Sequence, residues 1–259
     1  MRKNILIITT LLCLIGFATA CENKITDAKD NNELYSSTVT KIEAKVENAE
    51  KYSEVVAVKL MGYAFNTDNM LEIATGVWAD GGFIIELPKT VSSNNLFSLN
   101  DRFNHPQTFY NLAELPISNK NVRVVNADFW GVDKDGNLIT RFFPFEIDAN
   151  WGTKGMFYTY VDSDVTISGY QNRFGFVGIE YEHWIWLGID RMLMPPGNII
   201  TSYSIYWKKG WNLWQISRYG SGDAELSFLN EKWETGLSNN LKWYGSEDFI
   251  NLNRYGETK

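Results

Sequence analysis

The chain predicts an all-β protein: an antiparallel β-sandwich, immunoglobulin-like or related, with a lipocalin-like barrel as the alternative. Three observations predict it. From Thr40 onward, short stretches alternate apolar and polar residues with the period of two that a half-buried strand requires. Glycine, proline, aspartate and asparagine punctuate those stretches at close intervals, and no stretch sustains a helical period. Aromatic residues make up 15% of the chain, with 10 Trp, 13 Tyr and 15 Phe, and such rings suit pleated, half-buried surfaces.

The elements follow in order. TKIEAKVEN places Ile42, Ala44 and Val46 on one face and Lys41, Glu43 and Lys45 on the other, which is a half-buried strand. EVVAVKL, LEIATGVW and GFIIEL follow, the last launched by Gly81-Gly82, and Pro88 ends it because proline cannot donate to a ladder. Residues 91–120 are rich in Ser, Asn and Pro and read as a long connection holding a short helix capped by Ser92 or Ser93. Asp135-Gly136 between VRVVNADFW and LITRFFPF is a hairpin signal, because glycine tolerates positive φ. GMFYTYV, DVTISG, RFGFVGIEYEHWIWLGI, TSYSIYW and NLWQISRY continue the series, with a tight turn at Lys208-Lys209-Gly210. Many short strands separated by turns make a sandwich or barrel over 39–259, as one domain or split as 39–91 and 120–259.

The N-terminus is of a different kind. Arg2 and Lys3 precede an apolar run from Ile5 to Phe17, which fits a secretory signal and falls short of the roughly 20 residues of a spanning helix. Ala18-Thr19-Ala20 is an acceptable site for ordinary signal cleavage. With Cys21 directly after it, the stretch also resembles the lipobox of bacterial lipoproteins, with alanine at 18 where that family usually has leucine. The resemblance implies removal of residues 1–20 and acylation of the Cys21 sulfur by palmitate-like chains. Cys13 leaves with the signal, so Cys21 has no partner for an intramolecular disulfide. Residues 21–38 then read as a lipidated, flexible, charged tether.

Loss of Arg2 and Lys3 takes the net charge from −7 to −9. Nucleic acid demands clustered Lys and Arg, so no nucleic-acid partner is expected. An anionic bilayer would not attract this chain by charge, so the lipid anchor is the expected link to the membrane. KVENAEKYSEVVAVKL, GGFIIELPKTV, KKGWNLWQISRY and LKWYG together resemble a group of uncharacterised lipoproteins from gut Bacteroidota, over about residues 40–245. That resemblance implies an all-β lipoprotein and carries no activity with it.

Candidate chemistry is sparse. The two histidines are His105, in the long connection, and His183, among aromatics; neither sits in a legible triad. Glu180 and Glu182 share a strand face, near the roughly 5–9.5 Å separation of the two carboxylates in glycoside hydrolases, but like charges on one face are more simply solvated. Asp133 and Asp135 match only part of a calcium loop, and Asp162 and Asp164 are explained by a hairpin turn. No metal and no cofactor are expected. The aromatic residues Trp184, Trp186, Trp207, Trp211 and Trp214 are the ligand-binding candidates: exposed together they form a glycan platform, and buried they are core.

The expectation is an outer-membrane lipoprotein, facing the periplasm or the cell surface, acting as a non-catalytic binding module for glycan or for a protein partner in an uptake complex. A carbohydrate-active hydrolase using Glu180 and Glu182 is one alternative. A structural subunit of a surface assembly, such as an adhesin or pilus-like component, is the other.

Overall fold

The computed structural model describes residues 38–63, 70–99, 115–147, 153–176, 196–223, 226–236 and 241–248. The protein is all-β, as the alternation predicts. The strands are β1 (Lys41–Lys45), β2 (Ala57–Tyr63), β3 (Met70–Ala79), β4 (Gly82–Glu86), β5 (Phe97–Ser98), β6 (Arg123–Val132) and β7 (Leu138–Ile147). They continue as β8 (Thr153–Val161), β9 (Val165–Phe176), β10 (Pro196–Trp207), β11 (Gly210–Asp223), β12 (Leu226–Thr235) and β13 (Lys242–Gly245). The expected short helix in the connection after β4 is a 3-10 turn, Ser93–Asn95, with the Ser92 side chain accepting from the Asn94 amide.

Among the described residues all thirteen strands belong to one sheet, ordered β1-β4-β3-β2-β6-β7-β8-β11-β12-β10-β9, with β13 on β7 and β5 on β6. The sheet crosses the segment between 91 and 120, because Ala57–Gly62 of β2 pair with Val132–Ala127 of β6. Every ladder is antiparallel except β10 with β12. β6, β7 and β8 meet at a junction. β6 pairs with β7 through Phe129–Val132 and with β8 through Val124–Ala127, while β7 pairs with β8 through Phe145–Ile147. The sheet also curls back on itself. Val46, just past β1, bridges Trp243 on β13, and the Val39 amide donates to the Trp211 carbonyl of β11 at 2.8 Å.

The curl creates two cores on opposite faces of one wall. On β6, β8 and β11, the residues Val125, Phe129, Met156, Tyr158, Tyr160, Trp211 and Leu213 face the first core, with Ile42, Leu60, Phe83, Ile85, Phe142 and Trp243 opposite them. Their alternating neighbours Val124, Val161, Trp214 and Ile216 face a second core with Ile167, Tyr203, Ile205, Trp207 and Trp233. A strand buried on both faces loses the polar alternation of a surface strand, and β11 (GWNLWQI at its start) shows the result. Aromatic rings fill both cores in edge-on and tilted contacts, for example Phe129 with Trp243 at 4.9 Å and Trp214 with Trp233 at 5.2 Å.

Turn chemistry sets the registers. Asp80 and Gly81 both hold positive φ, 51° and 71°, and join β3 to β4 as a two-residue hairpin. At the predicted hairpin between β6 and β7, Gly136 has φ 83°, and the Asp133 carboxylate accepts from the amides of Asp135 and Asn137.

A polar and aromatic face on β2, β6, β7 and β13

The aromatic platform expected on Trp207, Trp211 and Trp214 is corrected by their burial at 3%, 2% and 3% exposure. Trp211 lies in the first core, edge-on to Tyr160 at 5.6 Å, with its indole N–H donating to the Pro88 carbonyl at 2.9 Å. Trp214 lies in the second core against Phe157 and donates to Thr159 Oγ1 at 2.8 Å. Trp207 packs edge-on to Trp214. The physical reason is parity: positions 211 and 214 point to opposite faces of one strand, and each face of β11 lines a core. Trp184, Trp186, Glu180, Glu182, His183, His105 and Cys21 lie outside the described residues.

The paired aspartates act in turns. The Asn137 side chain and amide hold the exposed Asp133 carboxyl below its usual range. Asp162 accepts from the Arg123 amide and guanidinium, and Asp164 accepts from the Lys209 amide and the Lys208 ammonium. Among the described residues no group of three or more His, Cys, Asp or Glu is placed to hold a metal ion. No helix among them is long and apolar enough to cross a membrane, which says nothing of strands.

A different surface gathers functional groups. On β6 the even-numbered residues face the second core at one end, through Val124, and continue to Asn126, Asp128 and Trp130 at the other. Asn126 accepts from Thr159 Oγ1 at 2.7 Å, and this polar link marks the rim of the second core. Beyond it, register brings side chains from four strands together. Trp130 lies directly opposite Lys59 of β2 and Arg141 of β7, and Phe143 lies opposite Tyr244 of β13. Directly opposed side chains have Cβ atoms about 4.5–5.5 Å apart, so Lys59, Trp130 and Arg141 form one row across three strands, and Phe143 and Tyr244 form a second row two residues along β7.

The chemistry of this face is specific. Arg141 Nη2 is bonded to Asp128 Oδ1, and the Arg141 guanidinium carbon sits 4.7 Å from the centre of the Phe143 ring. Lys59 pairs with Glu72 at 2.8 Å, and Glu72 also accepts from Thr75 Oγ1 at 2.7 Å. The Lys59 contact and then the Thr75 bond hold the Glu72 carboxyl below the usual carboxylate range. Lys242 pairs with Glu47 at 3.4 Å beside Tyr244. Two donors on the directly opposed pair have no acceptor: the Trp130 indole N–H and the Arg141 Nε–H, both on shielded atoms. Trp207 Nε1 and Gln215 Oε1 are shielded in the same way, so shielding alone marks no site; Trp130 and Arg141 differ in lying side by side across a ladder.

This face was legible in part. The Asp135-Gly136 hairpin signal sets the β6–β7 register, and that register alone opposes Trp130 to Arg141. Rings clustered along one strand are visible in the sequence, whereas a pair built across a hairpin is visible only through the register.

The fold and this face define an all-β protein with a double-cored, curled sheet and an aromatic, charge-paired outer surface. No protein-family model matches the chain, and no curated protein or solved structure matches it either.

Proposed function

We propose that the protein is a lipid-anchored, non-catalytic binding module of the outer membrane that presents the β2–β6–β7–β13 face to glycan. The observation that carries this reading is the directly opposed pair Trp130 and Arg141, each with an N–H donor lacking an acceptor, beside the Asp128 carboxylate and the half-buried rings of Phe143 and Tyr244. Sugars are bound by that combination: rings against their apolar faces and fixed donors and acceptors for their hydroxyls. A binding role also fits the Glu72 carboxylate. Glu72 is held below the usual carboxylate range by Lys59, whereas hydrolysis of a glycosidic bond requires one carboxyl to stay protonated as a general acid. The membrane link in this reading rests on Cys21 and the apolar run before it.

The test is a titration of the full chain, in detergent, with a panel of soluble polysaccharides, read by intrinsic tryptophan fluorescence and calorimetry. The expected result is saturable binding to one glycan class, with Arg141→Ala binding more weakly at unchanged far-ultraviolet circular dichroism. Full affinity in Arg141→Ala, or no binding across the panel, would overturn the proposal.

A further inference from the structure

We infer that the ligand of this face is a neutral saccharide, held through two adjacent hydroxyl groups by Trp130, Arg141 and Asp128; this rests on the glycan reading above. The charge on the face is balanced locally. Each cation named there has its own carboxylate: Lys59 with Glu72, Arg141 with Asp128, and Lys242 with Glu47. The chain as a whole is acidic, with net charge −7. A uronate or sulfate arriving here meets no uncompensated cation, so it gains no free ion-pair partner to offset the loss of its hydration. A neutral polyol has no such penalty.

The polar groups match hydroxyls in both directions. Trp130 Nε1 and Arg141 Nε are donors without acceptors. Asp128 commits Oδ1 to Arg141, which leaves Oδ2 as an acceptor on the same residue. A hydroxyl both donates and accepts, so one hydroxyl can donate to Asp128 Oδ2 while its oxygen accepts from Arg141 Nε–H. Its neighbour on the sugar ring can then accept from Trp130 Nε1–H. A carboxylate ligand accepts only, and would leave Asp128 opposed by a like charge. Both donors are shielded in this structure, so binding requires the Trp130 and Arg141 side chains to move toward the ligand.

The experiment compares neutral probes (dextran, yeast mannan, xyloglucan) with acidic ones (polygalacturonate, heparin) on the full chain in detergent, by calorimetry at low and moderate salt. Two conservative variants are used: Trp130→Phe keeps an aromatic ring and removes the indole N–H with its five-membered ring, and Arg141→Lys keeps the cation and removes the guanidinium with its Nε. The expected result is binding to a neutral probe with little salt dependence, weakened about tenfold in each variant at unchanged melting temperature. Tighter binding to an acidic probe, or wild-type affinity for the neutral probe in Trp130→Phe, would overturn the inference while leaving a glycan module in place. Binding to none of the probes would remove the glycan reading itself, and this inference with it.

Discussion

Thr235 Oγ1 closes the gap at which β10 and β11 part. The hydroxyl accepts from the Tyr206 amide at 2.8 Å and donates to the Tyr206 carbonyl at 3.3 Å. Lys208 and Lys209 join β10 to β11 as the turn signal predicts, yet the two strands are not ladder partners. β12 runs between them, antiparallel to β11 and parallel to β10. Its ladder with β10 ends at the pair Ser204–Glu234, two residues short of Tyr206, so a side chain completes what the backbone leaves open. Asn212 secures the other end of the fork, accepting from the Lys208 amide and donating to the carbonyls of Lys208 and Gly210.

Thr235→Val keeps the shape and removes the hydroxyl, leaving the Tyr206 amide and carbonyl without that partner. The expected loss of stability is about 1–3 kcal/mol, by urea unfolding, with Thr235→Ser close to wild type. Equal stability of the valine and serine variants would show that water serves Tyr206 as well.

Gly245→Ala sets a methyl group against Tyr52. A Cβ at position 245 would stand 2.1 Å from the Tyr52 hydroxyl and 2.2 Å from its ring carbon. That ring cannot simply swing away, because its hydroxyl donates to the buried Asp248 at 2.9 Å and its edge packs on Phe142 at 5.4 Å. Overpacking of this kind costs about 1–3 kcal/mol. In a Tyr52→Ala background the same glycine substitution is expected to cost little, and a double-mutant cycle from thermal melts checks the coupling.

Trp211→Ala is expected to destabilise the fold by about 3–5 kcal/mol, because a buried indole leaves a cavity and the Pro88 carbonyl loses its donor. The readout is chemical unfolding. A variant of wild-type stability would return Trp211 to the list of surface rings.

Asp164 links the start of β9 to the β10–β11 turn, and the Lys209 amide, with the Lys208 ammonium, holds its carboxyl below the usual range. A depressed carboxyl stabilises the fold above its unfolded value, about 3.9, and loses that contribution as pH falls through the lower folded value. Asp164→Asn is therefore expected to lower the melting temperature at pH 7 and to narrow its difference from wild type by pH 2.5. A difference that stays constant across this range would assign the contribution to packing instead of charge.

Cys21→Ser is expected to abolish incorporation of labelled fatty acid in cells and to move the protein from the membrane to the soluble fraction. Equal labelling of both forms would remove the anchor from the proposed function.

Local chemistry was legible in the chain. The parity of Ile42, Ala44 and Val46 placed one face of the first strand in the core, and all three are buried there. The Asp135-Gly136 hairpin and the Ser92 cap appear where the residues predict them, because each depends on a few adjacent dihedral angles and side chains. β12 carries no clean alternation to mark it in the sequence. Its inward row contains Glu231, buried at 2% and accepting from Thr201 Oγ1 at 3.1 Å, and a charged residue on the apolar face breaks the alternation that marks a strand.

Strand content, turn positions and the inward face of the early strands were determined by the sequence alone, because periodicity and turn stereochemistry act over a few residues. Tertiary structure decided which strands lie side by side. The sheet folds over both faces of β6, β8 and β11, so Trp211 and Trp214 enter separate cores while Trp130 and Arg141 meet at the rim. A strand's own residues specify two faces; what covers each face depends on partners far away in the chain, and burial follows from that cover.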